Sequence, residues 1–230
     1  MYHVFGVINT AFIFISLYGV YSQLQTVERR KSSAASSGHA TELLSLNQFC
    51  MSFLAYLSFF VYGYSISPFN HYIVWPRLIA AMLVAMILWE IWCDRRTRLS
   101  LGILWCAIVC LVVSMLGLFF GETYQDEGRW IATTMILIIS ALLAQGYAHQ
   151  IKLIVTSGKT GAVDIRMSQF ILMMDVSTIA FACSMGLANS WPLMVLAVAS
   201  GITKLLIMYL FRWVKYSPLA RARRISAGLQ

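Results

Sequence analysis

Apolar runs of about 20 residues recur along this chain, and they constrain its fold more than any other feature. Seven runs are long enough to cross the hydrocarbon core of a bilayer as α-helices: Val4–Ser22, Leu43–Tyr64, Tyr72–Trp92, Ser100–Phe120, Trp130–Ile151, Met167–Leu187 and Trp191–Phe211. The spans must be helical because hydrocarbon offers no hydrogen-bond partner to free backbone groups. The chain is therefore predicted to be an all-α polytopic membrane protein with seven transmembrane helices.

Composition excludes the main alternatives. Of the 230 residues, 60% are hydrophobic and 11% are charged, whereas soluble domains carry about 25% charged residues. A soluble monomer of this composition would expose too much apolar surface, and a disordered chain needs low hydrophobicity together with high charge. The net charge of +8 comes from basic residues scattered between apolar runs, so no nucleic-acid partner is expected. The protein's surroundings are instead expected to be the lipid bilayer.

Lysine and arginine are unevenly divided between the connections of the two sides. Fourteen lie in the connections after the first, third and fifth runs and in the C-terminal tail: Arg29, Arg30, Lys31, Arg95, Arg96, Arg98, Lys152, Lys159, Arg166, Arg212, Lys215, Arg221, Arg223 and Arg224. The N-terminus and the other connections hold only Arg129. By the positive-inside rule, the N-terminus lies outside and the C-terminus in the cytosol. We expect an integral protein of the plasma (inner) membrane.

The chain also contains an internal repeat. A shift of 121 residues places Ser45–Trp92 on Arg166–Trp213 without a gap, so that two spans and a short outer connection match in length and order. Gln48 then meets Gln169, and Ala80 meets Gly201. The helices before these segments match too, because each ends in a glutamine followed by a basic loop. This repeat predicts two parallel three-helix bundles joined by a linker helix, which we call the 3-1-3 plan, and parallel repeats about an axis along the membrane normal are one known plan of transporters.

The 3-1-3 plan divides the chain into four parts. Residues 1–92 form the first three-helix bundle, and residues 93–129 hold the linker helix with its flanking loops. Residues 130–213 form the second three-helix bundle, and residues 214–230 form a basic cytosolic tail.

Short motifs at the helix ends resemble those of the SWEET and PQ-loop (MtN3-like) superfamily of seven-helix membrane proteins. That superfamily carries Pro-Gln at the inner end of helices one and five, followed by Lys-Ser. Here the first copy reads Ser22-Gln23 and then Lys31-Ser32, and the second reads His149-Gln150, so both glutamines are present without the prolines. Helix three of SWEET-like proteins carries Pro-Asn-x-x-Gly, where this chain has Pro76–Ala80 with Arg in the Asn place and Ala in the Gly place. The resemblance implies the 3-1-3 fold, transport by alternating access, and gating roles for Gln23 and Gln150.

Ionisable residues inside the spans are candidates for function, since each costs about 2.5–3.5 kcal/mol on insertion scales. They are Arg77, Glu90, Asp175 and Lys204. Glu90 is close enough to the inner end of its span to reach the interface. Asp175 and Lys204 are about 11–12 Å from the same cytosolic edge at 1.5 Å per residue, on helices joined by a very short turn. We expect an ion pair, which either clips these helices together or forms a gate beside a solute path.

Arg77 lies where SWEET-like pockets place an asparagine, and the family spacing puts Ser58 at the neighbouring pocket position. An arginine there either binds a carboxylate with two hydrogen bonds or extends outward to the acidic loop that contains Asp126 and Glu127. Polar residues of helices two and six add further groups. The candidate substrate-binding residues are Arg77, Ser58, Asp175, Lys204, Gln48 and Gln169.

Two functional interpretations follow. The first is a transporter that moves a small polar, charged or zwitterionic solute by rocking two three-helix bundles about a central site. The alternative is a non-transporting receptor or an interaction subunit of a membrane complex on the same fold, which the missing prolines and the one-sided pocket favour. Whether the protein forms a homo-oligomer or binds another membrane protein stays open. No catalytic, metal-binding or cofactor-binding pattern is recognised, so an enzyme is not expected.

Overall fold

The computed structural model describes residues 2–32, 40–65, 69, 71–124 and 130–226, and these ranges contain eight α-helices. The helices are α1 (Tyr2–Ser32), α2 (Leu46–Ser65), α3 (His71–Arg95), α4 (Arg98–Phe120), α5 (Trp130–Ser157), α6 (Ile165–Met185), α7 (Leu187–Tyr216) and α8 (Pro218–Ser226). Six of them are long and apolar enough to cross a membrane: α1, α3, α4, α5, α6 and α7. The chain is therefore a helical protein of the integral membrane type.

Helix α2 has 20 residues but is not among these six apolar helices. The reason is visible in its sequence, since Asn47, Gln48 and Ser52 interrupt the apolar run. Gln48 and Ser52 are buried inside the protein, whereas the aromatic residues Phe49, Phe53 and Phe60 of the same helix pack in the core. Helix α2 thus turns several polar groups toward the interior.

Several helices extend beyond their apolar runs. Helix α1 continues through the basic residues to Ser32, because Leu24 and Val27 are buried and extend its packed face. The expected basic tail contains a short helix, α8, that the apolar runs did not indicate. It begins with a proline, which is favoured at the first helical position because its missing N–H would have no partner there.

Helix packing has a regular pattern. Helix α3 contacts both α1 and α2, and helix α7 contacts both α5 and α6. The two sets of helices meet where α1 packs on α6 and where α2 packs on α5, contacts that we call the α1–α6 seam and the α2–α5 seam. Helix α4 lies outside, against α2 and α3, and α8 packs on α5 and α7. We call the end of the bundle that carries α8 the α8 end, and the opposite end, where α1 begins, the N-terminal end.

Equivalent glycines lie at the closest approach of each seam. A Cβ atom at Gly19 of α1 would lie 2.9 Å from the Phe170 Cβ atom and 3.2 Å from the Met167 Cα atom of α6. A Cβ atom at Gly146 of α5 would lie 3.1 Å from Gln48 Cα and 3.3 Å from Met51 Cβ of α2. A side chain at Gly19 would force α1 and α6 apart, and one at Gly146 would press on the backbone of α2, so glycine lets both pairs of helices pack closely.

These contacts correct the register of the internal repeat. They pair Gln48 with Met167, not with Gln169 as the single shift of 121 residues requires. In α3 and α7 the prolines coincide instead, because Pro76 and Pro192 are each the sixth residue of their helix. A single shift fails because the connections inside the compared segments differ in length: the one from Ser65 to His71 is longer than the one from Met185 to Leu187.

Candidate functional site

A central cavity of about 690 Å³ lies between α1, α2, α3, α5, α6 and α7. It reaches His3 and Gly6 and is therefore open toward the N-terminal end. Most of its wall is apolar, and its polar lining is supplied by Asn9, Thr10, Ser52, Tyr56, Arg77, Tyr147, Asp175, Thr178 and Ser200. Two of the predicted site residues, Arg77 and Asp175, thus face the same space.

Arg77 is held on the cavity wall by aromatic rings of α2. Its guanidinium carbon lies 5.5 Å from the ring centroid of Tyr56 and 5.1 Å from that of Phe59, distances typical of cation–π contacts. Of its two expected orientations, the structure therefore has the inward one. The acidic residues Asp126 and Glu127, the expected outward partners, lie outside the described residues.

Asp175 and Lys204 are both buried near the floor of the cavity, but they do not form the expected ion pair. Asp175 Oδ2 and Lys204 Nζ have no hydrogen-bond partner among the described residues. Lys204 Nζ instead lies 3.0 Å from the ring centroid of Tyr147 in α5. Gly201 and Ser200 are the α7 residues beside Asp175, and Lys204 is almost one turn further toward the α8 end.

Below Lys204 the protein is tightly packed. A space of only about 10 Å³ remains there, lined by residues that include Gln23, Gln48 and Gln150. Gln48 is buried beside Tyr147 and Lys204, so it belongs to the floor of the cavity and not to its wall. The cavity is thus closed toward the α8 end.

The two glutamines expected to have gating roles, Gln23 and Gln150, each join a helix to a connection through hydrogen bonds at the closed α8 end. Gln23 Nε2 donates to the carbonyl of Ala162 at 2.7 Å, and its Oε1 accepts from the backbone N–H of Asp164 at 2.8 Å. We call this pair of bonds the Gln23 clasp, since it joins α1 to the connection before α6. The side chain is 1% exposed.

Gln150 makes the corresponding bonds from α5 to the connection before α2. Its Nε2 donates to the carbonyl of Leu43 at 2.8 Å, and its Oε1 accepts from the backbone N–H of Ser45 at 2.6 Å. This Gln150 clasp joins α5 to the connection before α2. The residues before the two glutamines reinforce the clasps, because Ser22 donates to Asp164 at 2.5 Å and His149 Nδ1 lies 2.7 Å from the Ser45 hydroxyl.

Two predicted substrate-binding residues lie away from the cavity. Gln169 is exposed on the surface of α6, as the corrected register explains. Ser58 lines a separate groove of about 570 Å³ between α2 and α5. The groove is otherwise bordered almost entirely by apolar residues.

Several cavity residues were missed by the sequence analysis. Asn9 Oδ1 accepts hydrogen bonds of 2.9 Å from the hydroxyls of Ser177 and Thr178, which join α1 to α6. A lone asparagine within an apolar run is a signal that could have identified Asn9. Tyr147 and Ser52 carry no comparable signal, because tyrosine and serine are common in membrane helices.

Comparison with known proteins gives no match to a family model, a curated protein or a solved structure.

Proposed function

We propose that the protein is a seven-helix transporter of the SWEET and PQ-loop type, which moves a small charged or zwitterionic solute by alternating access. The observation that carries this proposal is the central cavity, which has Arg77 and Asp175 on its wall, is open at one end and is closed at the other. A site exposed to one side of a membrane and sealed from the other is what alternating access requires.

The helix contacts support a 3-1-3 arrangement. Helix α3 lies between α1 and α2, helix α7 lies between α5 and α6, and α4 packs outside. The equivalent pairs Gly19 with Gln23 and Gly146 with Gln150 share a spacing of four residues and make equivalent contacts. We therefore assign α1–α3 and α5–α7 to two parallel bundles with α4 as the linker.

The charge distribution supports an orientation. The basic residues of the connections fall at the α8 end, where α1, α3, α5 and α7 finish. Under the positive-inside rule, we assign the α8 end and the C-terminus to the cytosol, and the N-terminus to the outside of a plasma (inner) membrane. In this orientation the described conformation is open to the outside and closed to the cytosol.

The chemistry of the cavity favours a solute with two unlike charges. A guanidinium such as that of Arg77 binds carboxylates and phosphates well. Asp175 Oδ2 has no hydrogen-bond partner among the described residues and is suited to accept a bond from an ammonium group. Ser200 and Lys204 interact with the same carboxylate, so Oδ2 is the oxygen left to bind a solute. A zwitterionic solute would satisfy both groups at once.

The open centre of the bundle supports transport over the alternative role as an interaction subunit. A protein that only presents an outer surface to a partner has no use for a central cavity, whereas here the cavity extends from the N-terminal end as far as Ser200. The absence of proline before Gln23 and Gln150 favours the non-transporting alternative. The test must therefore distinguish binding of a solute from its transport.

The proposal is tested first by thermal stabilisation of the purified protein with amino acids, sugars and phosphoethanolamine. A solute that binds the folded state must raise the melting temperature by mass action. We expect a zwitterion to stabilise the wild type, and Arg77→Gln and Asp175→Asn to lose this effect. The exposed-residue variant Gln169→Asn is the matched control. No stabilisation by any zwitterion would contradict the proposal.

Counterflow of the stabilising solute in proteoliposomes then tests whether the protein moves the solute across the membrane. Binding without counterflow would identify a receptor.

A further inference from the structure

The two seams of the bundle differ at their N-terminal halves. The α1–α6 seam is closed there, since a Cβ atom at Gly6 would already lie 3.4 Å from the Phe181 ring. The hydrogen bonds from Ser177 and Thr178 to Asn9 close the same stretch. This seam therefore separates the cavity from the bilayer along most of its length.

The α2–α5 seam packs most closely toward the α8 end. There Gly146 packs against Gln48 and Met51, and Asn47 Nδ2 donates to Gln145 Oε1 at 2.9 Å. Beyond this crossing the two helices border the groove of about 570 Å³. The groove is lined by α5 from Trp130 to Leu142, which is about 18 Å of helix at 1.5 Å per residue.

A single small side chain is shared by the groove and the central cavity. Ala55 of α2 lines both spaces and is 4% exposed, so its side chain forms the thin wall that separates them and that must move for one to open into the other. In the corrected register, which pairs Gln48 with Met167, the α6 residue equivalent to Ala55 is Met174. The closed seam thus has a large side chain where the α2–α5 seam has a methyl group.

We propose that the cavity opens sideways into the bilayer at Ala55, and that its solute is a zwitterionic amphiphile with a single chain. The polar head lies between Arg77 and Asp175, and the chain lies in the α2–α5 groove. This inference rests on the proposed function and names its substrate class.

The dimensions and chemistry of the groove fit such a chain. Its lining is mostly Met, Leu, Ile and Ala, together with Ser58, Trp130 and Thr134. Its length of about 18 Å is comparable with one leaflet of the hydrocarbon core, which is about half of the full thickness of about 30 Å. A small polar solute without an acyl chain would fill only the cavity, and bilayer lipid would fill the groove. The groove and the charged cavity therefore match two parts of one molecule.

The test is photolabelling of the full-length protein in phosphatidylcholine nanodiscs. The probe is a palmitoyl lysophosphatidylethanolamine with a diazirine in the middle of its chain, and labelled peptides are identified by mass spectrometry. We expect labelling of α2 and α5 at the groove, and we expect excess water-soluble phosphoethanolamine to reduce it severalfold. Labelling of the exposed face of α4 at Trp105 and Val109 reports surrounding lipid and should not respond to the competitor.

Variants at the shared wall complete the test. Ala55→Met introduces the side chain of the closed seam, so that groove labelling should no longer respond to phosphoethanolamine. Ala55→Ser keeps the wall small and should behave like the wild type. Groove labelling that is unaffected by the competitor in the wild type would overturn the inference. If phosphoethanolamine nevertheless raises the melting temperature through Arg77, the proposed transport function stands and only the sideways opening is wrong.

Discussion

Removal of the Gln23 clasp tests most directly how the α8 end is closed. In Gln23→Leu the side chain keeps a similar volume but can no longer bond the backbone. The carbonyl of Ala162 and the N–H of Asp164 each lose a partner. An orphaned buried polar group costs about 1–3 kcal/mol, so the expected loss of unfolding free energy is about 2–6 kcal/mol. The upper part of this range applies only if no water reaches the two groups.

The measurement is thermal unfolding of purified variants in one detergent. For a chain of about 150–250 residues, 1 kcal/mol corresponds to about 2–4 °C in the melting temperature, so Gln23→Leu should melt at least about 4 °C below the wild type. Gln169→Leu is the matched control, because the same substitution at an exposed residue should change stability by no more than about 0.5 kcal/mol. Equal melting temperatures for the two variants would refute the clasp as a stabilising contact.

Three further predictions concern single contacts. Gly146→Leu should lower stability by about 1–3 kcal/mol through overpacking at the seam, whereas Gly102→Leu, whose Cβ would meet no atom within 4 Å, should be tolerated in thermal unfolding. Lys204→Met should lower the melting temperature in the absence of solute, since it removes the ammonium that contacts the Tyr147 ring and attracts the buried Asp175 carboxylate, and an unchanged or higher value would contradict this role of the ammonium. Arg224→Ala removes hydrogen bonds to two backbone carbonyls and should release α8, seen as faster hydrogen exchange of its amides, while the exposed-residue variant Arg221→Ala should not.

Hydropathy predicts the helices well because burial in hydrocarbon requires only length and apolar composition. It predicts the helix faces poorly, since a face depends on how each helix is rotated against its neighbours. Ser58 illustrates this, because it lies on the correct helix and turns toward the groove instead of the cavity. Lys204 illustrates the same limit for depth: it was placed at the level of Asp175, but the α7 residues beside Asp175 are Gly201 and Ser200.

A gapless alignment of the two halves could not give the correct register of the repeat, for a different reason. The two halves share few identical residues, and their connections differ in length, so each helix pair has its own shift. The signals that set the true register are single residues with a structural requirement, namely the glycine at each seam and the proline near the start of α3 and of α7. A search for a glycine four positions before each glutamine, and for a proline at the same distance from the start of each helix, would have found the true register.

The corrected register separates what the two halves share from what they do not. Both halves carry a seam glycine and a glutamine clasp, so the closure at the α8 end is built twice. The charges are not duplicated: Arg77 of α3 corresponds to Leu193 of α7, and Asp175 of α6 corresponds to Tyr56 of α2. Under the proposed alternating access, the α8 end opens only when both glutamine clasps break. The cavity walls differ between the halves, and this matches a ligand whose two ends differ. Under the proposed function, a cavity with a cation on one wall and a carboxylate on the other would select for a polar head with charges of both signs in a fixed order.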